Sequence, residues 1–166
     1  MIRRLTAEDA AAFHALRQEA MTTDPDSLAT TLAEEQAKSL DYVAAMLTEH
    51  AVFGAFIEDG LVGMAGFARL KPARERHKGT VWSMYVRAAG RGRGLGDALL
   101  KAVIDHARGE VEVLQLVVVS TNAPAVALYE RHGFQRWGLE PRALKLDETR
   151  YTTDGYYWLP LRPIEP

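Results

Sequence analysis

The sequence predicts an α/β protein of the α+β kind, with a mixed, mostly antiparallel central sheet and helices on both of its faces. Three observations carry that expectation. The first half holds short apolar runs joined by a tight turn, and the second half alternates apolar strand patterns with helical ones. Between them, a glycine- and arginine-rich turn at residues 87–96 joins a strand pattern to a helix pattern. The predicted order is β-α-α-β-β-β-α-β-α-β-β.

Residues 1–5 read as a short first strand. Thr6 and Asp9 form a capping box opening a helix that runs to about Thr23, with Phe13, Leu16 and Ala20 on its apolar face. Asp24-Pro25-Asp26-Ser27 breaks that helix, and a second spans Thr31 to Thr48, with Leu32, Leu40, Val43 and Leu47 as apolar positions. Ala51 to Glu58 and Leu61 to Leu70 are the strands of a hairpin turning at Glu58-Asp59-Gly60. A polar loop, Lys71 to Lys78, leads to a fourth strand from Thr80 to Val86. Leu95, Ala98, Leu99, Ala102, Val103 and Ala107 then recur at helical spacing up to Gly109. The β-branched, largely apolar run 111–119 predicts a strand buried on both faces. A helix over 123–132 and a strand over 134–138 follow, and the tail pairs Arg142 to Leu146 with Tyr156 to Leu161. No linker, repeat or low-complexity run divides the chain, so residues 1–166 are expected to form a single domain.

The turn Val86-Arg87-Ala88-Ala89-Gly90-Arg91-Gly92-Arg93-Gly94-Leu95-Gly96 is built to hold an anion. Glycines let backbone approach a ligand closely, and the unpaired N–H groups of the following helix start carry partial positive charge. A phosphate or pyrophosphate is the natural guest. Spacing excludes two familiar phosphate loops. A G-x-G-x-x-G pattern begun at Gly92 meets Asp97 in place of its third glycine, and no G-x-x-x-x-G-K-[ST] occurs. What stands here is Arg91-x-x-Gly94-x-Gly96.

A second motif runs from Ser120 to Phe134. Asn122 is a good N-cap, Pro124 suits a first helical turn that lacks N–H partners, and Gly133 ends the helix as a C′ residue. A second strand therefore ends at a second helix start, so that the two strand ends flank one cleft. Asn122-x-x-Ala125-x-x-Leu128-Tyr129-x-x-x-Gly133-Phe134 resembles, at nearly every defining position, a signature of the GCN5-related N-acetyltransferase (GNAT) family, whose pyrophosphate loop Arg91-x-x-Gly94-x-Gly96 also resembles. The pattern is similar to that family over essentially the whole chain, which implies a GNAT-like acyl-CoA N-acyltransferase fold.

The resemblance implies acetyl-CoA as cosubstrate, lying in a wedge between the fourth and fifth strands. Its pantetheine arm would meet the backbone of Met84, Tyr85 and Val86, and its pyrophosphate would meet N–H groups across Arg91, Gly92, Arg93, Gly94, Leu95 and Gly96. Asn122 would contact the cofactor or a water at the opposite wall, and Tyr129 would face the sulfur. The implied reaction is direct acetyl transfer to an amine, with a strand N–H stabilising the oxyanion and Tyr129 protonating the departing thiolate. A phenol of pKa about 10 gives its proton to a thiolate whose acid has pKa about 8.5 only if held close and partly dry. The fourth strand, Thr80 to Val86, lacks the carboxylate that a number of family members carry there as general base. Ser83 with water, Glu75, Glu35 or deprotonation in solution remain open as routes for the amine's proton. A module that binds acyl-CoA without turnover, or one with a different acyl donor, is the alternative.

Bulk composition narrows the partners. Net charge is −2 with basic residues spread along the chain, so no broad nucleic-acid footprint is expected, and the local cluster of Arg87, Arg91 and Arg93 suits a small polyanion. No apolar run nears a membrane span and the start lacks an apolar signal core, which makes a cytoplasmic location, with no membrane partner, the expectation. With no cysteine, neither a disulfide nor an acyl-cysteine intermediate can form. The acceptor is left open between a small-molecule and a peptide amine, and the assembly between monomer and homodimer.

Other conspicuous residues have ordinary readings. His14, His50 and His106 are expected on or near polar helix faces and His132 at a helix end, and no histidine pair has metal-ligand spacing, so no metal is expected. Glu34 and Glu35 read as a solvated face, with either pointing at the substrate cleft as the alternative; Arg74 to Lys78 read as a solvated loop placed to line an acceptor pocket, and Tyr151, Tyr156, Tyr157 and Trp158 as edge-strand packing, with contact to the acceptor as the second reading.

Overall fold

The computed structural model describes residues 1–163; the last three residues of the expected 1–166 domain lie outside them. Among the described residues, seven strands form one sheet in the order β1-β2-β3-β4-β5-β7-β6. They are β1 (Ile2–Arg4), β2 (Ala51–Ile57), β3 (Gly60–Arg69), β4 (Lys78–Val86), β5 (Val113–Val119), β6 (Gln135–Lys145) and β7 (Tyr151–Pro160). The β4–β5 pair is parallel and the others are antiparallel. The helices are α1 (Ala10–Thr23), α2 (Leu32–Gln36), α3 (Leu40–Glu49), α4 (Leu95–Ala107) and α5 (Ala123–Arg131).

Strand alternation sends one set of side chains to each face, and each face acquires its own core. On one side Phe13 and Leu16 of α1 and Val43 and Leu47 of α3 meet Val52, Phe56, Leu61 and Met64. On the other Leu99, Leu100 and Val103 of α4, with Tyr129 of α5, meet Ala55, Ala65, Phe67, Leu114 and Leu116. Thr6 caps as predicted, although the first turn, Ala7–Asp9, is 3-10 before α1 begins. No helix among the described residues is long and apolar enough to cross a membrane.

Three elements differ from the sequence expectation. The helix predicted over Thr31 to Thr48 is two, because Ser39 accepts a hydrogen bond from Tyr42 N and starts α3 afresh after α2 has ended. The strand at 134–138 and the segment Arg142 to Leu146 are one strand, β6. It passes through Pro141, which an outermost strand tolerates because one side of its backbone needs no ladder partner. Consequently β7 lies between β5 and β6, and Tyr151, Tyr156, Tyr157 and Trp158, all on β7, are not on an edge strand. Tyr157 is fully buried in the core instead.

Candidate active site

The parallel pairing of β4 with β5 is brief. Lys78, Gly79 and Thr80 pair with Val113, Leu114 and Gln115, and no further pairs follow. From Val81 onward β4 bonds only to β3, while β5 stays paired to β7 along its whole length. The two strands splay, and their C-terminal ends enclose a wedge with exposed main-chain donors and acceptors.

A bulge re-aims β4 at the opening. Met64 pairs with Tyr85 but Gly66 with Trp82, so Ala65 faces two residues, Ser83 and Met84. Ser83 takes the left-handed conformation at φ 53°. Trp82 and Tyr85 therefore share the α1 face, whereas Val81, Met84 and Val86 share the α4 face.

Two adjoining cavities occupy the wedge. The inner one lies among Arg17, Met21, Ser83, Val117, Asn122 and Tyr129, and the outer one runs over the glycine loop. They meet at Asp24, Met84, Tyr85, Asn122 and Ala125. Of the residues singled out in the sequence, Met84, Tyr85, Val86, Arg91, Gly92, Gly94, Leu95, Gly96 and Asn122 line the outer cavity and Tyr129 the inner. Arg93 does not line either; it is exposed outside the loop.

The loop's glycines have separable reasons. Gly92 and Gly94 lie at φ 72° and 71°, where other residues are strained, and Gly94 is the N-cap of α4. At Gly96 neither strain nor crowding requires glycine, since a Cβ would meet nothing nearer than 3.6 Å, at Leu128. The open cradle lies over Gly92 and Gly94, where nothing stands within 4 Å, and it leads to the first N–H groups of a thirteen-residue helix.

The arginine cluster disperses. Glu19 of α1 accepts from Arg87 Nε at 2.9 Å and Nη2 at 2.6 Å, and also from the Tyr85 hydroxyl at 3.2 Å. Those contacts hold the Glu19 carboxyl below its ordinary range and commit Arg87 away from the loop. Arg91 Nε donates to Val86 O at 3.0 Å, closing the end of β4.

On the opposite wall, Asn122 caps α5 by accepting from Ala125 N at 3.3 Å, and its Nδ2 reaches Ser27 Oγ at 3.5 Å across the mouth. Ser27 also donates to Asp24 at 2.8 Å, which leaves that exposed carboxylate at the junction of the cavities. About two turns into α5, Tyr129 is 6% exposed and packs edge-on against Phe134 at 5.9 Å between centroids. Burial alone drives its hydroxyl well above the ordinary phenol range, so it stands as a neutral O–H at physiological pH.

The carboxylates weighed as bases are committed elsewhere. Glu35 is not on a solvated face: it is 1% exposed, and accepts from Arg17 Nε at 2.9 Å, Arg17 Nη2 at 3.0 Å and Lys38 Nζ at 2.7 Å. Burial would raise its pKa, but the hydrogen bonds from Arg17 and Lys38 prevail and hold it below the ordinary range. Glu34 is the exposed member, closing the cap on Thr31. Glu75 pairs with Lys78 at 2.8 Å and lines neither cavity. Two histidines also leave their expected polar faces, His14 lying buried against Glu35 O at 2.9 Å and His106 packing between Phe53 and Phe67. Among the described residues no group of three His, Asp or Glu side chains gathers to ligate a metal.

Sequence reasoning missed the α1 wall. Arg17, Ala20, Met21 and Asp24 all line the inner cavity, at helical spacings of three, four and seven that place them on one face. That periodicity was available in the sequence, but only the topology brings the face opposite β4.

Residues 12–134 match the Acetyltransferase (GNAT) family, and the chain belongs to that family. Over 84 residues it is 44% identical to the N-alpha-acetyltransferase RimI of Mycobacterium tuberculosis, a match covering 49% of this chain and 50% of that one. The chain spans about half the length of the curated relatives it matches. It superposes on a ribosomal-protein-alanine N-acetyltransferase from Brucella melitensis with a TM-score of 0.80 at 27% identity, covering 96% of this chain and 99% of that one. It shares its fold with yncA from Salmonella typhimurium, solved with its cofactor acetyl-CoA, with a TM-score of 0.82 at 24% identity over 100% and 96% of the two chains.

Proposed function

We propose that this protein is an acetyl-CoA-dependent N-acetyltransferase, a single cytoplasmic domain that moves an acetyl group directly to the amine of a small molecule or peptide. The observation that carries the reading is the wedge, where β4–β5 pairing stops at Thr80 and Gln115 and an open glycine cradle leads inward to the buried Tyr129 hydroxyl.

The residues fit a coenzyme A thioester in shape and in donor chemistry. The N–H groups at the start of α4, reached over Gly92, Gly94 and Gly96, would hold the pyrophosphate, with Arg91 beside them and Arg93 adding charge from outside. Main-chain groups of Met84, Tyr85 and Val86 that face away from β3 and are not taken by Arg91 would bind the amide arm as an added strand would be bound. When bound, acetyl-CoA supplies an activated acetyl thioester. A β4 N–H in the wedge would stabilise charge developing on the carbonyl oxygen. Tyr129 would donate its proton to the leaving sulfur, and its raised pKa makes closeness rather than acidity the source of its effect. Asn122 would keep the α5 start in place and contact the ligand or a water there. Asp24 would draw a cationic amine toward the junction of the cavities.

Released coenzyme A thiol is the readout that tests this, with amino acids, polyamines, an alanine-terminated peptide and aminoglycosides offered as acceptors. Turnover with at least one amine is expected. Binding of acetyl-CoA without turnover on any of them would leave a ligand-binding module in place of an enzyme.

A further inference from the structure

Ser83 combines a costly backbone with a buried latch. At φ 53° it occupies the left-handed region that glycine fills freely, so what serine adds at this bulge is its hydroxyl. The bulge swings that hydroxyl to the α1 face, where Arg17 Nη1 donates to Ser83 Oγ. Arg17 is itself fixed by the fork it makes with Glu35, and Glu35 is held by Lys38 and, through its backbone carbonyl, by His14 Nε2. A three-element strut from α2 through α1 to β4 thus ends on the hydroxyl of Ser83, a residue that lines the inner cavity with Tyr129.

We infer that Ser83 orients the acceptor amine, and that Arg17 and Glu35 are its positioning pair; this rests on the acetyl-transfer reading above. A hydroxyl oxygen has two lone pairs and one proton to give. Arg17 occupies one lone pair, leaving the other for a ligand in the cavity that Ser83 lines. An acceptor N–H donated to it would fix the amine so that its own lone pair faces the wedge rather than solvent. With the Arg17 cation already hydrogen-bonded to it, that oxygen is too weak a base to remove a proton, so Ser83 acts on the amine only through its remaining lone pair. The strut sets the oxygen's place to within the tolerance that an attacking nitrogen requires, and a lysine at position 17 could not reproduce the fork.

Ser83→Gly keeps the left-handed backbone without strain, so its fold is expected to survive. With whichever amine of the panel above turns over, S83G should lower kcat by about 10²-fold, the cost of a nucleophile misplaced by an ångström, while acetyl-CoA affinity and Tm hold. R17K should lower kcat similarly, and the double variant R17K/S83G should lose no more than S83G alone, since both act through one oxygen. S83A carries the test if R17K does not fold. A kcat for S83G within about twofold of wild type overturns the inference, as do losses that multiply in the double variant. Wild-type protein that binds acetyl-CoA yet acetylates none of the amines overturns the functional reading and this inference together, whereas turnover insensitive to S83G overturns this inference alone.

Discussion

Arg17 and Glu35 meet in a two-point ion pair beneath the wedge, Nε and Nη2 on the two carboxylate oxygens at 2.9 and 3.0 Å, with Glu35 1% exposed. Removing one member of a buried pair strands the other's charge, which costs roughly 3–5 kcal/mol. Glu35→Gln is therefore expected to lower Tm by roughly 10 °C, at about 2–4 °C per kcal/mol for a chain of this size. The pH dependence has a definite sign. Glu35 is held below its ordinary pKa, so its contribution is present at neutral pH and lost as pH falls through its folded value. Thermal melts from pH 7 downward should show the gap between wild type and E35Q closing only below the ordinary carboxylate range; a constant gap would mean that the glutamine is merely a poor fit.

The glycines of the loop should respond differently from one another. Gly94→Ala places a Cβ on a left-handed residue and should destabilise the free protein by about 1–2 kcal/mol. Gly96→Ala meets no such strain and should leave the free protein's Tm unchanged, yet it should remove most of the rise in Tm that acetyl-CoA gives to wild type. That rise reflects binding to the native state alone, about 2.7 kcal/mol at a hundredfold excess over Kd. A full ligand shift in G96A would place the pyrophosphate elsewhere.

Arginine replacements should be milder. Arg91→Ala and Arg93→Ala leave the backbone donors intact, and exposed charges contribute about 0–1 kcal/mol each. Each should weaken acetyl-CoA binding several-fold, in a manner that added salt reproduces. Arg87→Ala, whose charge Glu19 absorbs, should alter affinity least; an Arg87 effect larger than that of Arg91 would reverse this assignment.

Tyr129→Phe should lower kcat by about 10²- to 10⁴-fold with little change in acetyl-CoA affinity. Thioesters with more acidic thiols should suffer less, because their leaving groups need the proton less, whereas a damaged site would slow every thioester alike. The sign of the pH effect again follows from burial. Since the Tyr129 hydroxyl ionises well above an ordinary phenol, wild-type kcat should show no descending limb near pH 10. A limb there, absent from Y129F, would mean that the hydroxyl is solvated.

Local chemistry made much of this molecule legible in the sequence. The apolar spacing from Leu95 to Ala107, the Asn122 and Gly133 helix ends and the glycine loop are each written within one short continuous segment, and the outer cavity is lined largely by residues read that way. What escaped depends on distance along the chain. Glu35 looked solvated because its partner lies 18 residues away on another helix, and Arg87 looked like a phosphate ligand because Glu19 lies 68 residues before it. Ser83's left-handed turn has no sequence signal, since glycine, not serine, announces such a conformation. Ser39 starts α3 inside the span read as one helix, where the apolar spacing on either side runs on across the break.

The most direct measurement is the fate of the acetyl group itself. Acetyl-CoA labelled in its acetyl carbons, incubated with the protein and an accepted amine, should place the label on the amine nitrogen in one-to-one proportion to the thiol released, with none retained on the protein. Thiol released without labelled amide, or label held covalently by the protein, would contradict direct transfer in the wedge.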